Sequence, residues 1–209
     1  LRVTAWNLPA EEADRRLAEA ATLLAERAGE HAYGRGDDDL AALVLDELRC
    51  RGLTISVAES CTGGLLGGRL TAVPGSSSQF LGGFVAYADQ AKQRLLGVPV
   101  DLLAAHGAVS EPVARQMALG ATRALGADVA VSVTGIAGPD GGTADKPVGT
   151  TWIGIATPTA VFAGGYRFAG DRARNRLVTV AAAVDALRRV LEEGDDVSPW
   201  GHGDTWWKI

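Results

Sequence analysis

Apolar and polar residues alternate along this chain in two rhythms, and the switches between them mark its elements. Leu1 to Trp6 alternates as a short strand does, and Pro9 to Arg27 follows as an alanine-rich helix with Leu17, Leu23, Leu24 and Ala28 in helical spacing. Gly34-Arg35-Gly36 reads as a linker into the acidic helix start Asp37-Asp38-Asp39. The stripe Leu40, Leu43, Val44 and Leu48 predicts a helix that Gly52 ends. Leu53 to Val57 is a short apolar strand. Thr62 to Ala72 is a helix stopped by Val73-Pro74-Gly75, and Phe80 to Tyr87 is a strand. Asp89 to Leu96 and Pro99 to His106 read as two short helices. Ser110 as N-cap and Pro112 in the first turn open another, which runs to Leu125. Val129 to Val133 is a strand, and a glycine-rich loop follows from Gly135 to Gly149. Thr150 to Thr157 and Val161 to Phe168 form a hairpin about Pro158, and Asp171 to Leu191 is a long amphipathic helix.

This order predicts an α/β layered domain with a partly parallel sheet and one antiparallel hairpin. Three segments are expected: a small αβ piece over 1–36, the main domain over 37–193, and a tryptophan-rich tail over 194–209. The tail carries Trp200, Trp206 and Trp207 and reads as a flexible tail or as a strap that docks on a partner. The chain opens on Leu1 rather than methionine, as a fragment or a processed product does.

Composition narrows the function classes. The chain has 209 residues, enough for one or two domains and a real core. Its 20 Lys and Arg against 25 Asp and Glu leave a net charge of −5, which argues against a nucleic-acid partner held by overall charge. Cys50 and Cys61 show neither a disulfide framework nor a metal-ligand spacing, so a reducing, cytoplasmic setting is expected. No apolar run approaches the roughly 18 residues of a membrane span, and the N-terminus lacks the pattern of a signal peptide. The 27 glycines follow no collagen period and point to tight turns and close approach to a ligand.

Four clusters carry candidate chemistry. Ala58-Glu59-Ser60-Cys61-Thr62-Gly63-Gly64 lies between a strand and a helix, at the sheet end where α/β folds bind ligands. Ser60 stands there as a nucleophile could, with an oxyanion hole from the helix-start amides of Thr62, Gly63 and Gly64. A capped helix start, with Ser60 or Thr62 as cap and Cys61 as a core residue, accounts for the same pattern. Tyr87 ends a strand and Lys92 follows in the first turns of the next helix. A lysine near a positive helix terminus can serve as general base for a serine; a solvated lysine beside a packing tyrosine is the plain alternative. Thr134-Gly135-Ile136-Ala137-Gly138 opens the glycine-rich loop, whose amides could form an anion nest. Arg172 and Arg176 lie one helical turn apart, as a phosphate grip or as surface ion pairs. No HExxH and no carboxylate cluster appears, so no metal and no cofactor is expected.

Taken together, AESCTGG at 58–64, PGSS at 74–77, GGFVAYADQAK at 82–92, HGAVSEPVA at 106–114, VTGIAGPDGG at 133–142, KPVGT at 146–150 and GDR at 170–172 resemble the C-terminal domain of the CinA (competence/damage-inducible) family. The resemblance covers roughly residues 37–192, and residues 1–36 look like the end of the middle domain of long family members. It implies a three-layer α/β/α sandwich. It implies the metal-free hydrolysis of nicotinamide mononucleotide to nicotinate mononucleotide and ammonia, a salvage step, with Ser60, Tyr87 and Lys92 catalytic. Thr62, Gly63, Gly64, Ser76, Ser77, Thr134, Gly135, Ala137, Gly138, Arg172 and Arg176 are expected around the nucleotide. A homo-oligomer is expected, because glycine-rich sites with helix-borne arginines are often completed across a dimer. The alternative is a non-catalytic nucleotide-binding or interaction module of the competence or DNA-damage response.

Overall fold

The computed structural model describes residues 2–194 and 206–208. The chain divides into two compact units, residues 1–38 and 39–209. Among its described residues the first holds one α-helix, α1 (Ala10–Ala28), which starts after Pro9, buries no residue and runs into a short 3-10 turn at Gly29–His31. Its surface is laced by Arg15–Glu12, Arg15–Glu19 and Arg16–Glu12 pairs, which support an isolated helix only weakly. Residues 2–6 form no strand, against the expected αβ piece. Alternation alone does not make a strand: it needs a neighbour to pair with, and this unit supplies none.

The second unit begins at α2 (Leu40–Arg51). Asp39 caps it, accepting from the N–H of Ala41 (2.9 Å) and Ala42 (3.1 Å), and Gly52 ends it in the left-handed region. Its buried face is Ala41, Val44, Leu45 and Leu48, one step round from the expected stripe. Among the described residues six strands follow: β1 (Ile55–Glu59), β2 (Phe80–Val85), β3 (Val129–Gly135), β4 (Thr150–Ala156), β5 (Val161–Arg167) and β6 (Trp206–Lys208). The sheet order is β2-β1-β3-β4-β5-β6. β1 runs parallel to both β2 and β3, β3 to β5 form an antiparallel meander, and β6 is parallel to β5. The expected tail thus contributes a short edge strand, while 195–205, with Trp200, lie outside the described residues.

Helices cover both faces, giving the three-layer α/β/α sandwich. α3 (Leu65–Thr71) and α7 (Arg172–Glu193) join α2 on one face, where Ile55, Val57, Val129, Val131, Ile153 and Ile155 point. α4 (Asp89–Leu96), α5 (Val100–His106) and α6 (Glu111–Leu125) cover the other. That second face is lined by small residues, among them Ala58, Ala130 and Ser132, and α6 lies close upon it. Ser132 Oγ donates to Ala114 O at 2.6 Å, and a Cβ on Gly154 would come within 2.5 Å of the same carbonyl. β1 is buried at every residue because it is central and covered twice.

Several boundaries differ from expectation in ways that matter for the site. Residues 61–64 form a turn, so α3 starts three residues after Thr62. β2 stops at Val85, which leaves Tyr87 beyond the strand. Ser110 occupies the N-cap of α6, but its hydroxyl turns back to Gly107 O at 2.8 Å and accepts nothing from the helix. Among the described residues no helix is long and apolar enough to cross a membrane.

Candidate functional site

Parallel pairing sends the chain past β1, β2 and β3 at the same end of the sheet. Glu59 pairs with Val85 on one side and Val133 on the other. One step on, the N–H of Ser60 donates to Val133 O at 2.9 Å and that of Ala86 to Glu59 O at 2.8 Å. Ser60 and Tyr87 therefore leave adjacent strands, which are spaced by about 4.8 Å. This is the carboxyl end of the parallel strands, where such sheets bind ligands.

Ser60 is buried. Lys92 lies in the first turn of α4 with a side chain only 1 % exposed. Its Nζ donates to the main-chain carbonyl of Tyr87 at 3.0 Å and pairs with Asp89 Oδ1 at 3.4 Å. These two contacts occupy two of the three positions about Nζ and leave the third uncommitted. Tyr87 is 58 % exposed, and its hydroxyl accepts from Arg172 at 3.2 Å. The three residues are thus gathered at one end of the sheet, but by separate contacts. Tyr87 meets Lys92 through its carbonyl and Arg172 through its ring hydroxyl.

Cys61 is disfavoured as a nucleophile at this turn. Burial pushes its thiol up to about 12, so the reactive thiolate is absent at neutral pH. The expected oxyanion donors also need correction. The N–H of Gly63 donates to Ser60 O at 3.1 Å and that of Gly64 to Glu59 Oε2 at 3.0 Å, so both are already engaged. Among the described residues the amides of Cys61 and Thr62 donate to no main-chain carbonyl. The amide directly after a nucleophilic serine is the one that serves in nucleophile turns of this kind.

The first turns of α7 bind the surrounding loops. Arg172 donates to Gly138 O at 3.0 Å, Asn175 Nδ2 to Ala137 O at 3.1 Å and Gly170 O at 2.9 Å, and Arg176 to Thr62 O at 2.7 Å. The glycine-rich loop thus turns the carbonyls of Ala137 and Gly138 to α7, which anchors it there through Asn175 and Arg172. Thr134 Oγ1 donates to Ala108 O at 2.8 Å, and Gly135 belongs to the β3–β4 ladder. Lys146 holds the far side of the loop by donating to His106 O at 2.6 Å. Thr62 Oγ1, Asn175 Oδ1 and Arg176 Nε are buried here with no hydrogen-bond partner among the described residues.

Ser76 and Ser77 do not join the site. They form a short turn just before β2, whose first residue pairs with Ile55 at the start of β1. They therefore sit at the amino end of the parallel strands, the far edge of the sheet from Ser60. The sequence held the warning, since a turn that precedes a parallel strand lies opposite to one that follows it. Glu59, Asp89 and Asn175 were missed. For Glu59 the signal was an acid at a strand end before a helix whose cap position, Gly64, has no side chain. Among the described residues no group of three or more His, Cys, Asp or Glu side chains is gathered to hold a metal.

The profile of the CinA C-terminal domain family matches residues 37–191. The chain is 52 % identical over 202 residues to a CinA-like protein of Gemmatimonas aurantiaca, covering 96 % of this chain and 47 % of that protein. It is 50 % identical over 191 residues to a CinA-like protein of Geobacter sulfurreducens, covering 91 % and 46 %. It thus spans about half the length of these relatives. Among solved structures, the competence/damage-inducible protein CihA of Agrobacterium tumefaciens superposes with a TM-score of 0.72 at 41 % identity, over 77 % of this chain and 99 % of that one. A CinA superfamily protein of Klebsiella pneumoniae superposes equally well, at 0.72 and 35 % identity, over 74 % and 97 %.

Proposed function

The chain belongs to the CinA family through its C-terminal domain, and from that premise we propose that it is an amidohydrolase converting nicotinamide mononucleotide and water to nicotinate mononucleotide and ammonia. The observation that carries this reading is Lys92, buried and held to the Tyr87 carbonyl beside the strand end that presents Ser60. An interior lysine is rare, and a site that needs a base next to a serine gives it a reason.

In this reading Ser60 Oγ attacks the carboxamide carbon and its proton passes to Lys92. The tetrahedral oxyanion is received by the amides of Cys61 and Thr62. Collapse breaks the carbon–nitrogen bond, and Lys92 returns the proton to the departing nitrogen, which leaves as ammonia. Water then attacks the acyl-serine, with Lys92 again moving the proton, and releases the carboxylate product and free Ser60. Tyr87 steadies the lysine through its carbonyl and is itself oriented by Arg172. Arg172 and Arg176 supply the positive side of the site, where a phosphate belongs.

The test is release of ammonia and nicotinate mononucleotide by the parent chain, Ser60→Ala and Lys92→Ala, with circular dichroism as the check on folding. Loss of a general base costs about 10²- to 10⁴-fold, and that fall is expected for Lys92→Ala. Near-normal turnover by Lys92→Ala would remove the lysine as base. No release by the parent, with saturable nucleotide binding by calorimetry, would make the domain a binding module.

A further inference from the structure

Glu59 is the last residue of β1 and the one before Ser60, and its side chain is 1 % exposed. Among the described residues no cation pairs with it. Instead Oε2 accepts from the N–H of Gly64 (3.0 Å) and of Leu66 (3.0 Å), and Oε1 from the N–H of Gly67 (2.8 Å). Its main-chain carbonyl accepts from Ala86, at the end of β2. One residue thus fixes the strand that enters the turn of 60–64 and the helix that leaves it.

The turn needs that hold. Gly63 and Gly64 both lie at positive φ, +59° and +96°, and Gly64 offers α3 no capping side chain. Two successive left-handed glycines are the loosest link a backbone can have. Between them and the strand stand Ser60 Oγ and the amides of Cys61 and Thr62, whose relative placement decides whether an attack at Ser60 finds an oxyanion donor. The Glu59 side chain thus fills the N-terminal amides of α3 from inside.

We propose that Glu59 is a positioning residue for the reaction at Ser60: its buried carboxylate takes the first amides of α3 and thereby locks the turn that aligns the nucleophile with the Cys61 amide. The proposal rests on the amidohydrolase reading for its substrate, though the geometry stands apart from it.

Two measurements test it. The first is steady-state turnover of nicotinamide mononucleotide by Glu59→Gln and Glu59→Ala. The glutamine keeps the size and one acceptor oxygen but sets an NH2 against an N–H donor. Misplacing a reacting group by about 1 Å costs roughly 100-fold, so kcat should fall by about 30- to 100-fold in Glu59→Gln and further in Glu59→Ala, with KM within about threefold of the parent. Unchanged kcat in Glu59→Gln overturns the proposal, as does a rise in KM alone. The second measurement needs no assigned substrate: the rate at which a fluorophosphonate labels Ser60. Labelling at least about tenfold slower in Glu59→Gln supports the proposal even if nicotinamide mononucleotide is not turned over, in which case only the substrate reading falls. Equal labelling rates overturn it. A parent chain whose Ser60 takes no label overturns it too, because there is then no reactive serine to position. If Glu59→Gln does not fold, Glu59→Asp, which keeps the charge one methylene short of the amides, is read by the same labelling arm with the same outcomes.

Discussion

Two helices begin at the same end of the sheet, and their first turns meet the site with opposite chemistry. At α3 the free N–H groups are taken by a buried carboxylate of the same chain, Glu59. At α7 Asp171 accepts from Arg174 N at 2.8 Å, and the residues that follow include Arg172, Arg174 and Arg176. Cations sit poorly at a helix N-terminus, by a few tenths to about 1 kcal/mol each. They are retained because two of them do other work. Arg172 holds Gly138 O and the Tyr87 hydroxyl, and Arg176 holds Thr62 O. The α3 terminus is internally satisfied and serves shape. Among the described residues Arg176 Nε and Asn175 Oδ1 at the α7 terminus are buried without a partner, and Thr62 Oγ1 is in the same condition on the turn that Arg176 grips. One terminus is thus closed by the chain's own Glu59, while the other keeps polar atoms that have no partner among the described residues.

Arg176→Ala is the sharpest way to break that comparison. Hydrogen bonds to charged groups contribute about 1.5–3 kcal/mol, which corresponds to roughly 10- to 150-fold in affinity. The KM for nicotinamide mononucleotide should rise by that order in Arg176→Ala. Weak turnover of the nucleoside that lacks the phosphate should change far less. If both substrates lose equally, α7 does not hold the phosphate, and Arg176 matters only as the tie on the Thr62 carbonyl.

A smaller effect is expected at the other helix. A Cβ on Gly64 would stand 3.8 Å from Val85 Cγ2, so space is not the obstacle, but φ is +96°. Holding an L-residue there costs on the order of 1–3 kcal/mol. Gly64→Ala should lower the urea midpoint accordingly and cut turnover, because the strain falls on the Ser60 turn. An unchanged midpoint would mean that the turn relaxes freely, which would also weaken the case for Glu59 as its lock.

Much of this was legible in the sequence, for physical reasons that also explain the failures. The strand-to-helix switches at Glu59 and Val85 are strong because both elements carry buried faces, and they place Ser60 and Tyr87 at the same sheet end. Lys92 falls in the next helix by simple spacing. What periodicity cannot give is the partner of a polar atom. Nothing in the order of residues says that Glu59 would take the amides of Gly64 and its neighbours, that Thr134 would bond Ala108, or that Asn175 would hold two carbonyls. The misplaced Ser76 and Ser77 are a different error. Their end of the sheet follows from the chain direction once β1 and β2 are taken as parallel, so the sequence carried the answer. The strand expected in residues 1–6 failed because alternation describes one strand, whereas a ladder takes two.

The helix α2 gives the comparison its baseline, since its N-terminus is closed in the ordinary way by its own cap residue. Asp39 accepts from two helix amides and also receives Arg69 at 2.6 Å. The Arg69 hydrogen bond, aided by those amides, holds the Asp39 carboxyl below the usual carboxylate range. Asp39→Asn keeps a good cap and removes only the charge, since Asn and Asp cap about equally well. The pair with Arg69 is largely exposed, so the loss at pH 7 should be small, about 0.5 kcal/mol. Its pH dependence has a definite sign. A carboxyl whose folded value is depressed contributes fully above its unfolded value of about 3.9, and the contribution fades as pH falls through the folded value. The stability gap between parent and Asp39→Asn, read from urea melts, should therefore be constant from neutral pH to about pH 5 and close below about pH 4. A gap that persists at lower pH would mean that the carboxylate charge is not what Arg69 holds. The closed terminus of α2 would then be a matter of hydrogen-bond geometry alone, and the contrast between α3 and α7 would have to be argued on geometry before charge.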